Sequence, residues 1–179
     1  MNQSLWYFYK MYLRRDMVSR FNLLDIPGLA EVSYVKVVIK LADVNSLEDM
    51  NILNSVNYIE KLTGQKCLVK DLGNVQGKRG YSKGRNVECM VTLRKKRMYN
   101  FLKYLTVSVL PVSIKRYGLP KLNTLGEGLY LLQLYDINSF YKLKLNTYNK
   151  EIINIYFKVN GLKKQQKLLL KGLGLKFIE

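Results

Sequence analysis

The sequence predicts an α+β fold, in which a mostly antiparallel sheet carries helices on one face and leaves the other face open. Three observations predict it. VECMVTLR (residues 87–94) and EIINIYFKV (residues 151–159) alternate apolar and polar residues with the period of a strand covered on one side only. Four stretches instead repeat their apolar residues at helical spacing. The order of elements is helix, strand, helix, strand, strand, helix, strand, strand, helix, which suits one sheet layer and one helix layer. A chain of 179 residues, 48% of them apolar, is long enough to bury a single core between those layers.

The elements follow from the chain in order. Residues 5–21 place Leu5, Trp6, Phe8, Tyr9, Met11, Tyr12, Leu13, Met17, Val18 and Phe21 among Arg14, Arg15 and Arg20, a helix with an aromatic side and a cationic side. It is expected to pack on the body of the protein, the alternative being insertion against a membrane or into a ribonucleoprotein. Asp25-Ile26-Pro27-Gly28 breaks the chain. Tyr34–Leu41 reads as a strand with Val35, Val37, Ile39 and Leu41 inward and Tyr34, Lys36, Val38 and Lys40 outward. Ser46 and Asp49 then form a capping pair for a helix whose stripe is Ile52, Val56 and Ile59, flanked by Leu53 and Leu62. Gly64 ends that helix, where a left-handed residue costs least.

A second strand leads into QGKRGYSKGRN (Gln76–Asn86), a loop with three glycines, four cations, one tyrosine and no acid. Such a segment cannot build a core, and it is made to reach toward a polyanion. The strand after it points Val87, Cys89, Val91 and Leu93 inward. From Lys96 a helix buries Met98, Phe101, Leu102, Leu105 and Val109 until Pro111 stops or kinks it. Ser113–Glu127 reads as loop, Gly128–Tyr135 as a central strand, and Tyr135–Lys150 fits neither strand nor helix cleanly. In the last strand Ile153, Ile155, Phe157 and Val159 face inward. Gly161 opens a final amphipathic helix, LKKQQKLLLKGLG. By domain, residues 1–21 form an N-terminal aromatic and basic helical arm, and residues 22–179 one α+β domain with a protruding loop at 76–86.

Charge narrows the function. Lys and Arg number 30 against 13 Asp and Glu, a net charge of +17, which repels itself unless an anionic partner offsets it. Nucleic acid is the first such partner and an anionic membrane surface the second. No run of 18 apolar residues is present, so no transmembrane helix is expected. Two cysteines, Cys67 and Cys89, and no histidine rule out familiar zinc spacings, and both thiols are expected as small buried hydrophobes. The acids are scattered, and the one adjacent pair, Glu48-Asp49, sits where a helix should start. No enzyme, cofactor or metal is therefore expected.

The open face of the sheet would carry Lys36, Lys40, Thr92, Arg94, Asn154, Tyr156 and Lys158. Cations meet phosphate, small polar groups meet 2′-hydroxyls and base edges, and the tyrosine can stack on a base. Any solvated sheet face is polar, but with the net charge added an RNA-binding surface is the better reading.

At LTGQK, the Gly-rich basic loop and VTLRKKRMYNFL, the sequence resembles the ribosomal protein L5 family, that of the fifth protein of the large ribosomal subunit, in its bacterial and organellar branch. Thr63-Gly64-Gln65-Lys66 is similar to the family's helix-to-strand junction, and Val91-Thr92-Leu93-Arg94 with Arg97-Met98-Tyr99 and Phe101-Leu102 to its strand and helix. Leu110-Pro111 and the basic-aromatic segment to Gly118 resemble its next turn, and Gly172-Leu173-Gly174 with Phe177 its C-terminal helix end. The likeness runs from about Arg15 to Phe177, and the aromatic segment before Arg14 has no counterpart.

The resemblance implies a structural protein of the central protuberance that lays its open sheet face on 5S rRNA and neighbouring large-subunit rRNA. It adds Gln65 to Thr92 as polar rRNA-binding positions. It implies that the loop bearing Gln76, Lys78, Arg79, Tyr81, Lys83 and Arg85 faces the peptidyl-site tRNA. A nearby surface would bridge to the thirteenth small-subunit protein, beside neighbouring central-protuberance proteins. The family's first strand closes with an Asn and a Gly-rich turn, whereas this chain has Lys40 and Leu41-Ala42-Asp43, a phosphate-seeking cation in place of a specific polar contact. Tyr135–Lys150 also lacks the acidic-proline character expected before the last strand.

Asn, Lys, Ile, Leu and Tyr are favoured, as in AT-rich coding sequence, and the N-terminus resembles neither a signal nor a transit peptide. Both features fit an organelle-encoded protein of the mitochondrial ribosome, the alternative being a bacterial cytoplasmic ribosome. Competing with the ribosomal reading are a free-standing RNA-binding or RNA-processing factor that uses the same sheet, and a nuclease with a carboxylate-bound metal.

Overall fold

The computed structural model of the chain describes residues 4–22, 28–44, 49–76, 82–135 and 152–175. Its strands are β1 (Glu31–Val44), β2 (Leu68–Gln76), β3 (Ser82–Leu93), β4 (Leu122–Thr124), β5 (Leu129–Leu134) and β6 (Ile153–Asn160). They form one sheet in the order β2-β3-β1-β6-β5-β4, every neighbouring pair antiparallel. The helices are α1 (Leu5–Phe8), α2 (Arg14–Phe21), α3 (Asp49–Thr63), α4 (Lys95–Tyr104), α5 (Leu110–Tyr117) and α6 (Lys163–Gly172). The predicted α+β architecture, with one helix-covered sheet face, is the one observed.

Strand alternation decides which face is covered. Val35, Val37, Ile39, Val91, Leu93, Ile155, Phe157 and Val159 are buried and share one core cluster with Met17, Ile59, Leu102 and Leu169 from the helices. β1 is three residues longer at each end than its alternation suggests. A register shift between Val32 and Tyr34 turns Val32 and Val35 to the same side, the local effect of an extra residue in a strand.

The basic loop is shorter than its composition predicts. Gln76 pairs with Ser82, Val75 with Lys83 and Asn74 with Arg85, so the β2–β3 ladder runs on through much of Gln76–Asn86. Arg85 also pairs with Val44 of β1. Backbone pairing against two neighbours outweighs the low strand propensity of Gly and Asn here. Lys78, Arg79 and Tyr81 lie outside the described residues, as do most of Asp25–Gly28 and Tyr135–Lys150.

Pro111 neither stops nor ends the helical path. α4 passes through a wide five-residue π-helical turn, Leu105–Val109, into α5, where Pro111 occupies the first turn. Proline has no N–H to return to the preceding turn, and the wide turn, in which the Leu110 N–H donates to the Leu105 carbonyl, absorbs that loss and the change of register. The residues Ser113–Tyr117, expected as loop, are therefore helical, and Leu122–Thr124 add an edge strand paired with β5. On α3 Ile59 is buried and Ile52, Val56 and Leu62 pack half-buried against the core as expected, while Leu53 is exposed and Ser55, Tyr58 and Thr63 join the buried side. Gly64 does close α3 with a left-handed φ of 66°.

The N-terminal helix is continuous, α1 joining α2 through a π-helical turn at Tyr9–Leu13. Tyr9, Leu13 and Met17, spaced by four, enter the same core as the sheet. The Tyr9 hydroxyl donates to the Ala30 carbonyl at 3.2 Å, and its ring stacks on Tyr99 with centroids 5.9 Å apart. At the other end of the chain, Gly172 of α6 lies against Leu13 so closely that a Cβ would collide with it. Gln166 ties α6 to the sheet: its Oε1 accepts from the Tyr130 hydroxyl at 2.8 Å and its Nε2 donates to the Gly161 carbonyl at 2.7 Å. No helix among the described residues is long and apolar enough to cross a membrane.

Candidate nucleic-acid interface

The open face is built by three adjacent strands whose register sets each side chain beside its neighbours. Lys36 on β1 sits directly opposite Thr92 on β3 and Tyr156 on β6. Tyr34 faces Lys158, and Val38 lies between Met90 and Asn154. Directly opposed residues hold their Cβ atoms about 5 Å apart, so Lys36, Thr92 and Tyr156 form one row across the sheet. Tyr34, Lys36, Val38, Glu88, Leu129 and Tyr156 line a shallow depression of about 300 Å³ on this face.

Hydrogen bonds sort the expected site residues. Lys40 Nζ pairs with Glu88 Oε1 at 2.9 Å, and that hydrogen bond pushes the Lys40 pKa above its ordinary value. Lys158 Nζ donates to the Glu127 carbonyl at 2.6 Å. Asn154 is buried, and its Oδ1 accepts from Gln133 Nε2 at 3.2 Å. These three groups are engaged within the protein. Thr92 and Arg94 are exposed, Lys36 and Tyr156 are half-buried, and Lys36 has no ion pair among the described residues. The Arg94 guanidinium lies 5.8 Å from the Tyr34 ring centroid, within reach of a cation–π contact.

Gln65 stands apart from this row, at the junction of α3 and β2, half-buried with its Oε1 lacking a partner among the described residues. Gln76, Lys83 and Arg85 take ladder positions in the β2–β3 hairpin. Sequence reasoning left three members of the face out of the site. Tyr34 carries Arg94, Glu88 is the acid that neutralises Lys40, and Lys70 of β2 is exposed opposite Glu88. The alternation of β1 and β3 already pointed Tyr34 and Glu88 outward, whereas the side of Lys70 depends on the hairpin register.

The arrangement offers cations, a hydroxyl and two aromatic rings on a rigid plane, and no set of acids fit for metal chemistry. No group of three or more metal-ligating side chains is found among the described residues. Cys89 is fully buried, while Cys67 is half-buried just before β2 with its Sγ 3.7 Å from the Met90 carbonyl, and burial pushes its thiol pKa up. Neither is disulfide-bonded. The class this defines is an α+β protein with a basic, uncovered sheet.

Comparison with known proteins is specific. A model of the ribosomal L5P family C-terminus matches residues 86–177. The large ribosomal subunit protein uL5 of Karelsulcia muelleri is 29% identical over 96% of this chain and 92% of its own. The uL5 protein of Natranaerobius thermophilus is 30% identical over 73% of this chain and 70% of its own. The uL5m protein of Reclinomonas americana is 28% identical over 92% of both. The chain belongs to the ribosomal L5 family, whose members are structural proteins and not enzymes. An alignment covering 96% of the chain also takes in part of the aromatic segment before Arg14, which therefore does have a counterpart.

Proposed function

We propose that this chain is a structural constituent of the large ribosomal subunit that binds rRNA through the row Lys36, Thr92, Arg94 and Tyr156 on its open sheet face. The observation that carries this reading is family membership, joined to a face whose available groups are cations, a hydroxyl and a phenol. Lys36 and Arg94 meet phosphates, Thr92 meets a 2′-hydroxyl, and Tyr156 offers a ring edge or hydroxyl to a base. Lys40, Asn154 and Lys158 shape and brace that face through their internal bonds. Gln65 completes the contact from the α3–β2 junction.

The same reading places the protein in the central protuberance, on 5S rRNA where the ribosome has it, beside neighbouring protuberance proteins. The β2–β3 hairpin carries Gln76, Lys78, Arg79, Tyr81, Lys83 and Arg85 toward peptidyl-site tRNA, and an adjoining surface meets the thirteenth small-subunit protein. A mitochondrial ribosome is the proposed location, supported by the match to a mitochondrial relative.

Lys36→Ala with Thr92→Ala and Arg94→Ala tests the sheet. The expected variant folds normally by circular dichroism but washes off large subunits at a salt concentration where the unaltered chain stays bound. Unaltered retention would overturn the sheet assignment, and release of the unaltered chain itself under mild salt would mark a free-standing RNA factor.

A further inference from the structure

Glu88 is the one acid among the side chains that line the depression on the open sheet face. Its surroundings are basic, since the register of β3 sets it between Lys40 on β1 and Lys70 on β2. Lys40 Nζ lies 2.9 Å from Glu88 Oε1, with the lysine side chain 55% exposed and the glutamate side chain 14%. A carboxylate on a face that meets RNA repels phosphate, so its presence there needs a reason. A partly exposed cross-strand pair stabilises a sheet only modestly, which leaves room for a second role.

The pair changes what this end of the face offers a ligand. The Lys40 charge is cancelled locally, so phosphate finds less attraction here than at Lys36 and Arg94. The carboxylate has two oxygens and about four lone-pair sites, and among the described residues Lys40 is its one side-chain partner. Acceptor capacity therefore remains at the edge of a depression of about 300 Å³, the lower end of the range for small-ligand sites.

The rest of that depression is apolar and aromatic. Val38 is buried, and Leu129 and the Tyr34 and Tyr156 rings are half-buried. The Glu88 bond is the chief cause of the raised Lys40 pKa and Tyr156 a lesser one, which puts Tyr156 close to the pair. A flat, apolar-floored hollow with an aromatic side suits an unpaired base better than a duplex backbone.

We infer that Glu88 is a specificity-determining residue, which makes the open face prefer an unpaired cytosine of the bound RNA over uracil. The two bases match in size and differ in an amino group against a carbonyl on one edge. The cytosine N4 amino group donates to the Glu88 carboxylate, whereas uracil presents O4 there and is repelled. The base lies over Val38 and Leu129, against Tyr156. By holding Lys40, the same carboxylate denies a plain phosphate backbone one further cation. The inference deepens the RNA reading above and rests on it.

Filter binding of the full chain to oligocytidylate and oligouridylate RNA of equal length tests it. Oligocytidylate should bind about tenfold more tightly, the worth of one charge-assisted hydrogen bond. Glu88→Gln keeps the side-chain size but can turn either an oxygen or an amide N–H toward the base, so the preference should fall to about twofold or less. The same variant should bind oligouridylate more tightly and with a logarithmic salt slope steeper by about 0.7, as Lys40 is released to one phosphate. Lys40→Gln, which leaves the carboxylate in place, should keep the preference. Circular dichroism checks that each variant folds. Equal binding of the two RNAs by the unaltered chain, or binding of neither, would overturn the inference. So would a preference that survives Glu88→Gln, which would leave the ion pair as a brace alone. Lys36→Ala with Thr92→Ala and Arg94→Ala should weaken both RNAs alike while losing the large subunit. Loss of the cytosine preference with large-subunit retention intact would sink this inference and spare the other.

Discussion

Gly161 shows how much a single position can decide. Its φ is 98°, and a Cβ there would sit 2.8 Å from Ala30 Cα, so the turn after β6 passes directly over the start of β1. Gly161→Ala should lower stability by about 2–4 kcal/mol through left-handed strain and backbone collision, measured by denaturant unfolding. A loss below about 0.5 kcal/mol would mean that the turn simply moves. Tyr9 makes a different prediction. Burial, with the Glu31 charge nearby, pushes its pKa up to about 12 from 10.0. The folded state therefore keeps its proton where the unfolded state has lost it. That contribution is complete below pH 10 and disappears as pH rises through about 12. Tyr99 is shifted upward as well, mainly by burial, and acts in the same sense. Tyr9→Phe should make stability decline less steeply between pH 10 and 12 than in the unaltered chain, and parallel curves would remove tyrosine from the account.

Among the elements, the N-terminal helix has the most to lose from truncation. Leu13 is 9% exposed and meets both the core and Gly172, so Leu13→Ala should cost about 2–4 kcal/mol by thermal unfolding of the whole domain. A freely tethered arm would lose nothing measurable. The alternation of β1, β3 and β6 and the helical stripe Met98, Phe101, Leu102, Leu105 and Val109 were legible because burial imposes a period on the residues themselves. The extended β2–β3 ladder was not, since SKGRN has no alternation and its strand state comes from its partners. Nor was α5, because Pro111 signals a break unless a wide turn precedes it. At the interface the outward placement of Lys36, Thr92, Arg94 and Tyr156 could be read from parity alone. The hydrogen bonds that engage Lys158 and Asn154 could not, because Glu127 and Gln133 lie far from them in sequence.

The whole molecule carries a net charge of +17, which makes its RNA affinity a function of salt. An interface that engages about six phosphates loses about a thousandfold in affinity between 50 and 200 mM salt. Removing Lys36 and Arg94 together should reduce the logarithmic salt slope by about two, as read from filter binding at several salt concentrations. An unchanged slope would show that these cations touch no phosphate.

The contact between Leu13 and Gly172 joins the N-terminal helix to α6. β1, the middle of the sheet, takes β6 as one of its two neighbours, and β6 is the last to be synthesised of the strands among the described residues. A nascent chain therefore cannot seal this interior until translation has passed residue 172. Incorporation into a ribonucleoprotein thus waits for α6, and a messenger cut short before it would yield a product with an unclosed hydrophobic layer, fit for proteolysis rather than assembly.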